Sequence, residues 1–94
     1  MERQIQILGT YQLDNKTDSF TGTVTFNERE NSIYYSWRLV DKEGKSIAEK
    51  SLNVAFQEIP EGQDRFEFSK KHAIEGIRRY RIGREEIIIE LSES

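Results

Sequence analysis

Between Phe20 and Asp41, apolar and polar residues alternate in two runs separated by a polar stretch. Phe20, Gly22, Val24 and Phe26 interleave with Thr21, Thr23 and Thr25; Ile33, Tyr35, Trp37 and Leu39 interleave with Tyr34, Ser36, Arg38 and Val40. A period of two sends successive side chains to opposite faces of an extended chain, so each run predicts a strand with one buried face. Together they predict a β-hairpin. A turn centred on Arg29–Glu30 pairs Phe26 with Ile33, Val24 with Tyr35 and Phe20 with Leu39. It also sets Gly22 opposite Trp37, where a large ring can cover the missing side chain.

The flanking segments extend the pattern. Gln4 to Leu13 predicts a first strand with Ile5, Ile7, Gly9 and Tyr11 on one face, followed by a polar turn from Asp14 to Ser19. Asp41-Lys42-Glu43-Gly44-Lys45 has Asp at the first and Gly at the fourth position of a type I turn, with Gly44 free to take φ > 0 in a bulged hairpin loop. Residues 46–56 fit two patterns. Leu52, Val54 and Phe56 alternate as a strand does. Ile47, Ala48, Ser51, Leu52, Ala55 and Phe56 instead form a helical stripe, with Ser46 and Glu49 spaced as a capping box. The hairpin turn just before them selects the strand, and Pro60-Glu61-Gly62 ends it.

Phe66 and Phe68 alternate in a short predicted strand, Arg65–Phe68. Ser69 to Gly76 then predicts a single helical turn or a loop, with Ser69 as N-cap and Gly76 as terminator. A last hairpin runs Ile77–Ile82 and Ile87–Leu91. It pairs Ile82 with Ile87, Tyr80 with Ile89 and Arg79 with Glu90, burying Ile87 and Ile89 and leaving Ile88 outside or covered by another element. The expected fold is all-β, one domain over residues 1–94. It has about seven antiparallel strands in hairpin succession and room for one short helix, forming a small β-sandwich or barrel.

Composition narrows the class. A chain of 94 residues hides only about two-thirds of its unfolded surface on folding, so the ten Phe, Tyr and Trp residues must supply most of the core. The net charge of −3 is unlike the strongly basic profile of a general nucleic-acid binder. With no cysteine there is neither a disulfide nor a thiolate metal site, and the N-terminal MERQIQILG has no apolar run of a signal peptide. No stretch approaches the ~20 apolar residues of a membrane span. The expected location is cytoplasmic.

Candidate chemistry is sparse. His72 is the sole histidine, with Glu75 as the only local carboxylate to orient it, and reads as a surface residue beside two lysines. Serines and threonines fall at strand-outer and turn positions that their propensities explain. Glu28, Glu30, Asp41 and Glu43 lie in turns without the spacing of a calcium loop, and no glycine-rich phosphate loop occurs. These features predict no enzyme, no metal and no cofactor.

Charge is the uneven feature. Residues 1–69 carry 8 basic and 12 acidic groups, residues 70–84 carry six basic groups against Glu75, and residues 85–94 are net −4. Arg79 and Arg81 on one strand face, with Arg84, Lys70 and Lys71 nearby, predict a cationic strip suited to an acidic protein surface. Tyr34, on the polar face beside Ser36 and Arg38, is a further contact candidate. The leading expectation is therefore a non-enzymatic binding or regulatory module, monomer or homodimer, docking a protein through a sheet face or edge. The alternative is a small-molecule barrel using Trp37, Tyr35 and Tyr11, and a weaker one is single-stranded nucleic-acid binding.

Overall fold

The alternating runs form the strands they predict, and longer ones than the polar residues suggested. The computed structural model describes residues 2–82, 85–86 and 88–93. β1 (Glu2–Leu13), β2 (Lys16–Glu28), β3 (Ser32–Asp41) and β4 (Ser46–Ala55) form an antiparallel meander. The 46–56 ambiguity resolves as strand. A 3-10 turn over Phe56–Glu58 leads to α1 (Arg65–Arg78), then the two-residue β5 (Arg81–Ile82) and β6 (Glu85–Glu86), and finally β7 (Ile88–Glu93). The main sheet has the order β4-β3-β2-β1-β7 and is open. The expected sandwich or barrel of seven comparable strands does not form: five strands make the sheet, and α1 supplies the second layer that buries its apolar face.

Two turns show why the strands run where they do. Asp14 and Asn15 both take the left-handed conformation, φ 52° and 65°, so the first hairpin closes in two residues and Lys16 to Ser19 continue as strand. At the other turn, Asp41 Oδ1 accepts the N–H groups of Glu43 and Lys45, each at 2.9 Å, and Gly44 sits at φ 85°. That bulged loop is as predicted.

The β2–β3 register differs from expectation by two residues. Val24 pairs with Trp37, Phe26 with Tyr35 and Gly22 with Leu39. The Arg29 N–H reaches the Ser32 carbonyl at 2.7 Å, closing the loop over residues 29–32 instead of over Arg29–Glu30. A slip of two keeps every side chain on its face. Phe20, Val24, Phe26, Ile33, Tyr35, Trp37 and Leu39 are accordingly all buried, although Gly22 does not face the Trp37 ring.

Helix α1 replaces the expected strand at Arg65–Phe68 and absorbs Ile77 and Arg78 from the expected last hairpin. Its N-cap is Asp64, whose Oδ1 accepts the Glu67 N–H at 2.9 Å, and Ser69 is a buried mid-helix residue instead. Ser69, Ala73 and Ile77, spaced by four, face the sheet. Two of the three are small, which lets the helix lie close over the large rings of Tyr35 and Trp37. Tyr80, just past the helix, packs edge-on against Trp37 at 5.1 Å.

At the C-terminus β7 pairs with β1, and the register shifts between Thr10 and Tyr11, where Glu90 and Ile88 are the partners. Counting back from buried Leu91 by twos would bury Ile89 and Ile87. The irregularity reverses the parity, so Ile88 is buried. Ile87 and the side chains of Ile82 and Ile89 lie outside the described residues. Arg81 pairs with Glu86 and Ile82 with Glu85, replacing the expected Ile82–Ile87 pairing.

Candidate functional site

An open sheet has two edges, and this fold treats them differently. Along β7 the Leu91 carbonyl accepts from Arg78 Nη2 at 3.3 Å, and Glu93 pairs with Lys70 Nζ at 3.4 Å. Two α1 side chains thus occupy one backbone acceptor and one end of that edge. Burial alone would lower the Lys70 pKa, but Glu67 and Glu93 outweigh it and hold the ammonium above the usual lysine value.

The β4 edge, paired with β3 alone, is covered among the described residues only at its top. Its outward groups follow from the ladder. The Phe56 N–H donates to the Asn31 carbonyl at 3.0 Å. Antiparallel pairs alternate between bonded and non-bonded, so Val54, Leu52, Lys50 and Ala48 exchange bonds with β3. Glu49, Ser51 and Asn53 therefore direct their N–H and C=O groups away from the sheet. Ala55, next in that series, has its N–H taken by Glu58 Oε2 at 2.8 Å. The Glu58 carboxylate closes the top of the edge and, among the described residues, leaves the outward groups of Glu49, Ser51 and Asn53 unpaired below it.

The surfaces flanking this ladder are distinct. On the helix side lie Lys50, exposed, and Leu52 and Val54, half-buried and buried. On the other side a face that no described element covers displays Thr23, Thr25, Ser36 and Ser51, with Thr23 Oγ1 donating to Gln6 Oε1 at 3.0 Å. Leu8 protrudes from the same face, 44% exposed. Arg29 lies over the Tyr34 ring at 4.5 Å, so this tyrosine is half-buried and engaged by its own neighbour.

The predicted cationic strip is not a strand face. Arg79 is the exposed C-cap of α1, and Lys70 and Lys71 are on the helix. Lys70 is held by Glu67 and Glu93, and Lys71 is exposed. Arg84 and the side chain of Arg81 lie outside the described residues. The three residues assigned to a barrel cavity meet no barrel. Trp37 and Tyr35 are core residues under α1, and Tyr11 lies edge-on to Phe20 at 6.4 Å. Burial, reinforced by the carboxylates of Asp18, Asp41 and Glu43, raises the Tyr11 pKa.

His72 is exposed, as the sequence predicts, and it also has a partner in the core. Its Nδ1 lies 2.8 Å from the Tyr35 hydroxyl, and its ring stacks on Phe68 at 6.4 Å. Burial pushes the Tyr35 pKa up to about 12, so the phenol stays protonated at neutral pH in its hydrogen bond with the imidazole. The pair joins 37 positions apart in the chain, a separation at which local sequence gives no signal.

No protein-family model, curated protein or solved structure matches this chain. Among the described residues no helix is long and apolar enough to cross a membrane.

Proposed function

We propose that this protein is a non-enzymatic binding module that takes an extended segment of a partner protein onto β4 as a sixth strand. The observation that carries this reading is the asymmetry of the edges: β7 is engaged by Arg78 and Lys70, whereas the outward ladder groups of Glu49, Ser51 and Asn53 have no partner among the described residues. Strand addition draws its affinity from main-chain hydrogen bonds and its selectivity from alternate side chains. The helix-side positions favour a ligand with an acidic residue beside Lys50 and an apolar one beside Leu52. The hydroxyl-rich opposite face favours polar residues at the positions between.

Selection of random peptides on the immobilised protein tests this directly. Binders should be extended, should carry that alternation, and should protect the Glu49, Ser51 and Asn53 amides from hydrogen exchange. Ser51→Pro removes an outward donor without taking a bond from β3, and should abolish capture. Lys50→Glu leaves the ladder whole and should reverse the charge preference. Peptides that bind both variants as well as the original protein, or that protect amides elsewhere, would refute strand addition.

A further inference from the structure

A cavity of about 400 Å³ lies between the start of α1 and the near end of the sheet. Its apolar walls are Phe26, Ile33 and Phe66, with Phe66 edge-on to Phe26 at 5.1 Å. Its charged walls are Arg3, Glu28, Asp64 and Arg65. That volume lies within the range of small-ligand pockets.

The four charges are not equivalent. Arg65 Nη1 lies 3.7 Å from Glu28 Oε1, and its guanidinium stacks 3.8 Å over the Phe56 ring. Asp64 spends Oδ1 on the Glu67 N–H at the helix cap. Both acids therefore already have partners. Arg3 is the exception: its guanidinium lies 4.4 Å over the Phe66 ring and makes no ion pair among the described residues. An aromatic ring steadies a cation while leaving its N–H donors free. The net result is a chamber with one apolar and one charged wall, in which the Arg3 guanidinium is without an ion pair among the described residues.

From this arrangement we infer that the cavity binds a small amphipathic carboxylate, its aromatic or aliphatic body against Phe26, Ile33 and Phe66 and its carboxylate on Arg3. A neutral ligand would leave the Arg3 donors unanswered, and an amine would find Glu28 engaged by Arg65 and Asp64 by the Glu67 N–H. The cavity shares no lining residue with β4, so this inference stands or falls independently of strand addition.

The test is a titration of the ¹⁵N-labelled full chain with 4-phenylbutyrate, beside 4-phenylbutanol and 4-phenylbutylamine as neutral and cationic twins. The carboxylate should saturably shift the Ile33, Arg65 and Phe66 amides and bind about fivefold more tightly than the alcohol, the order expected of one partly exposed charge-assisted contact. Arg3→Gln should remove that preference while the thermal midpoint holds, since Arg3 is exposed. Arg3→Lys should keep part of it. Equal binding of acid and alcohol, tighter binding of the amine, a preference that survives Arg3→Gln, or no saturable shift at those amides would overturn the inference.

Discussion

Replacing Tyr35 with Phe isolates a single buried hydroxyl and gives stability a defined dependence on pH. Tyr35 is fully buried and its hydroxyl hydrogen-bonds with Nδ1 of His72, an exposed residue whose ring water can solvate once the partner is gone. Loss of such a bond costs on the order of 1 kcal/mol, so near neutral pH Tyr35→Phe should be less stable by about that amount. At alkaline pH a second effect opposes the first. The phenol ionises at about 10 in the unfolded chain and at about 12 in the folded protein. Between these values the folded state binds more protons, so stability falls as pH rises. The contribution is fully present below about pH 10 and is lost as pH climbs through the folded pKa. At about pH 11 the loss amounts to roughly 1.4 kcal/mol. Phenylalanine has nothing to ionise, so the two proteins should cross in stability between about pH 10 and 11, with Tyr35→Phe the more stable above. Urea denaturation of both at a series of pH values reads the difference, in which all other titrating groups cancel. A gap that stays constant from pH 8 to 11.5 would refute the account.

Trp37→Ala should cost about 3 kcal/mol, the lower end of the range for large core aromatics, because the buried indole N–H it removes has no partner among the described residues; denaturant midpoints check this. Gly22→Ala should destabilise by about 1–3 kcal/mol. Its Cβ would lie 2.7 Å from Leu39 Cδ2 and 2.9 Å from the Arg38 carbonyl, and the carbonyl can yield only by opening the β2–β3 ladder. The same denaturation series measures it, and an unchanged midpoint would show that β2 and β3 have more room than this packing allows.

The strands were legible because their information is local. Alternation from Phe20 to Leu39 selects the buried face whatever the strands later pack against, and Asp41 with Gly44 specifies a bulged turn through bonds within five residues. The helix was partly legible: Asp64 and Glu67 have the spacing of a cap, and Ser69, Ala73 and Ile77 the spacing of one face. Small residues in that stripe weakened the apolar signal, while Phe66 and Phe68 imitated a strand. Their smallness makes sense only beside Tyr35 and Trp37, which local sequence does not bring near.

Tertiary structure alone decided the rest. Whether the strands closed into a barrel depended on α1 covering the apolar face, and the parity of β7 depended on an irregularity at Thr10–Tyr11. The candidate sites are of the same kind. The β4 edge is open below Glu58 because β7 pairs with β1 at the opposite side of the sheet, and the Arg3 cavity exists because the start of α1 lies over the near end of β1, β2 and β3. A strand's faces follow from neighbours one and two residues away, whereas an edge or a cavity is a relation between distant segments, fixed only when the whole chain packs.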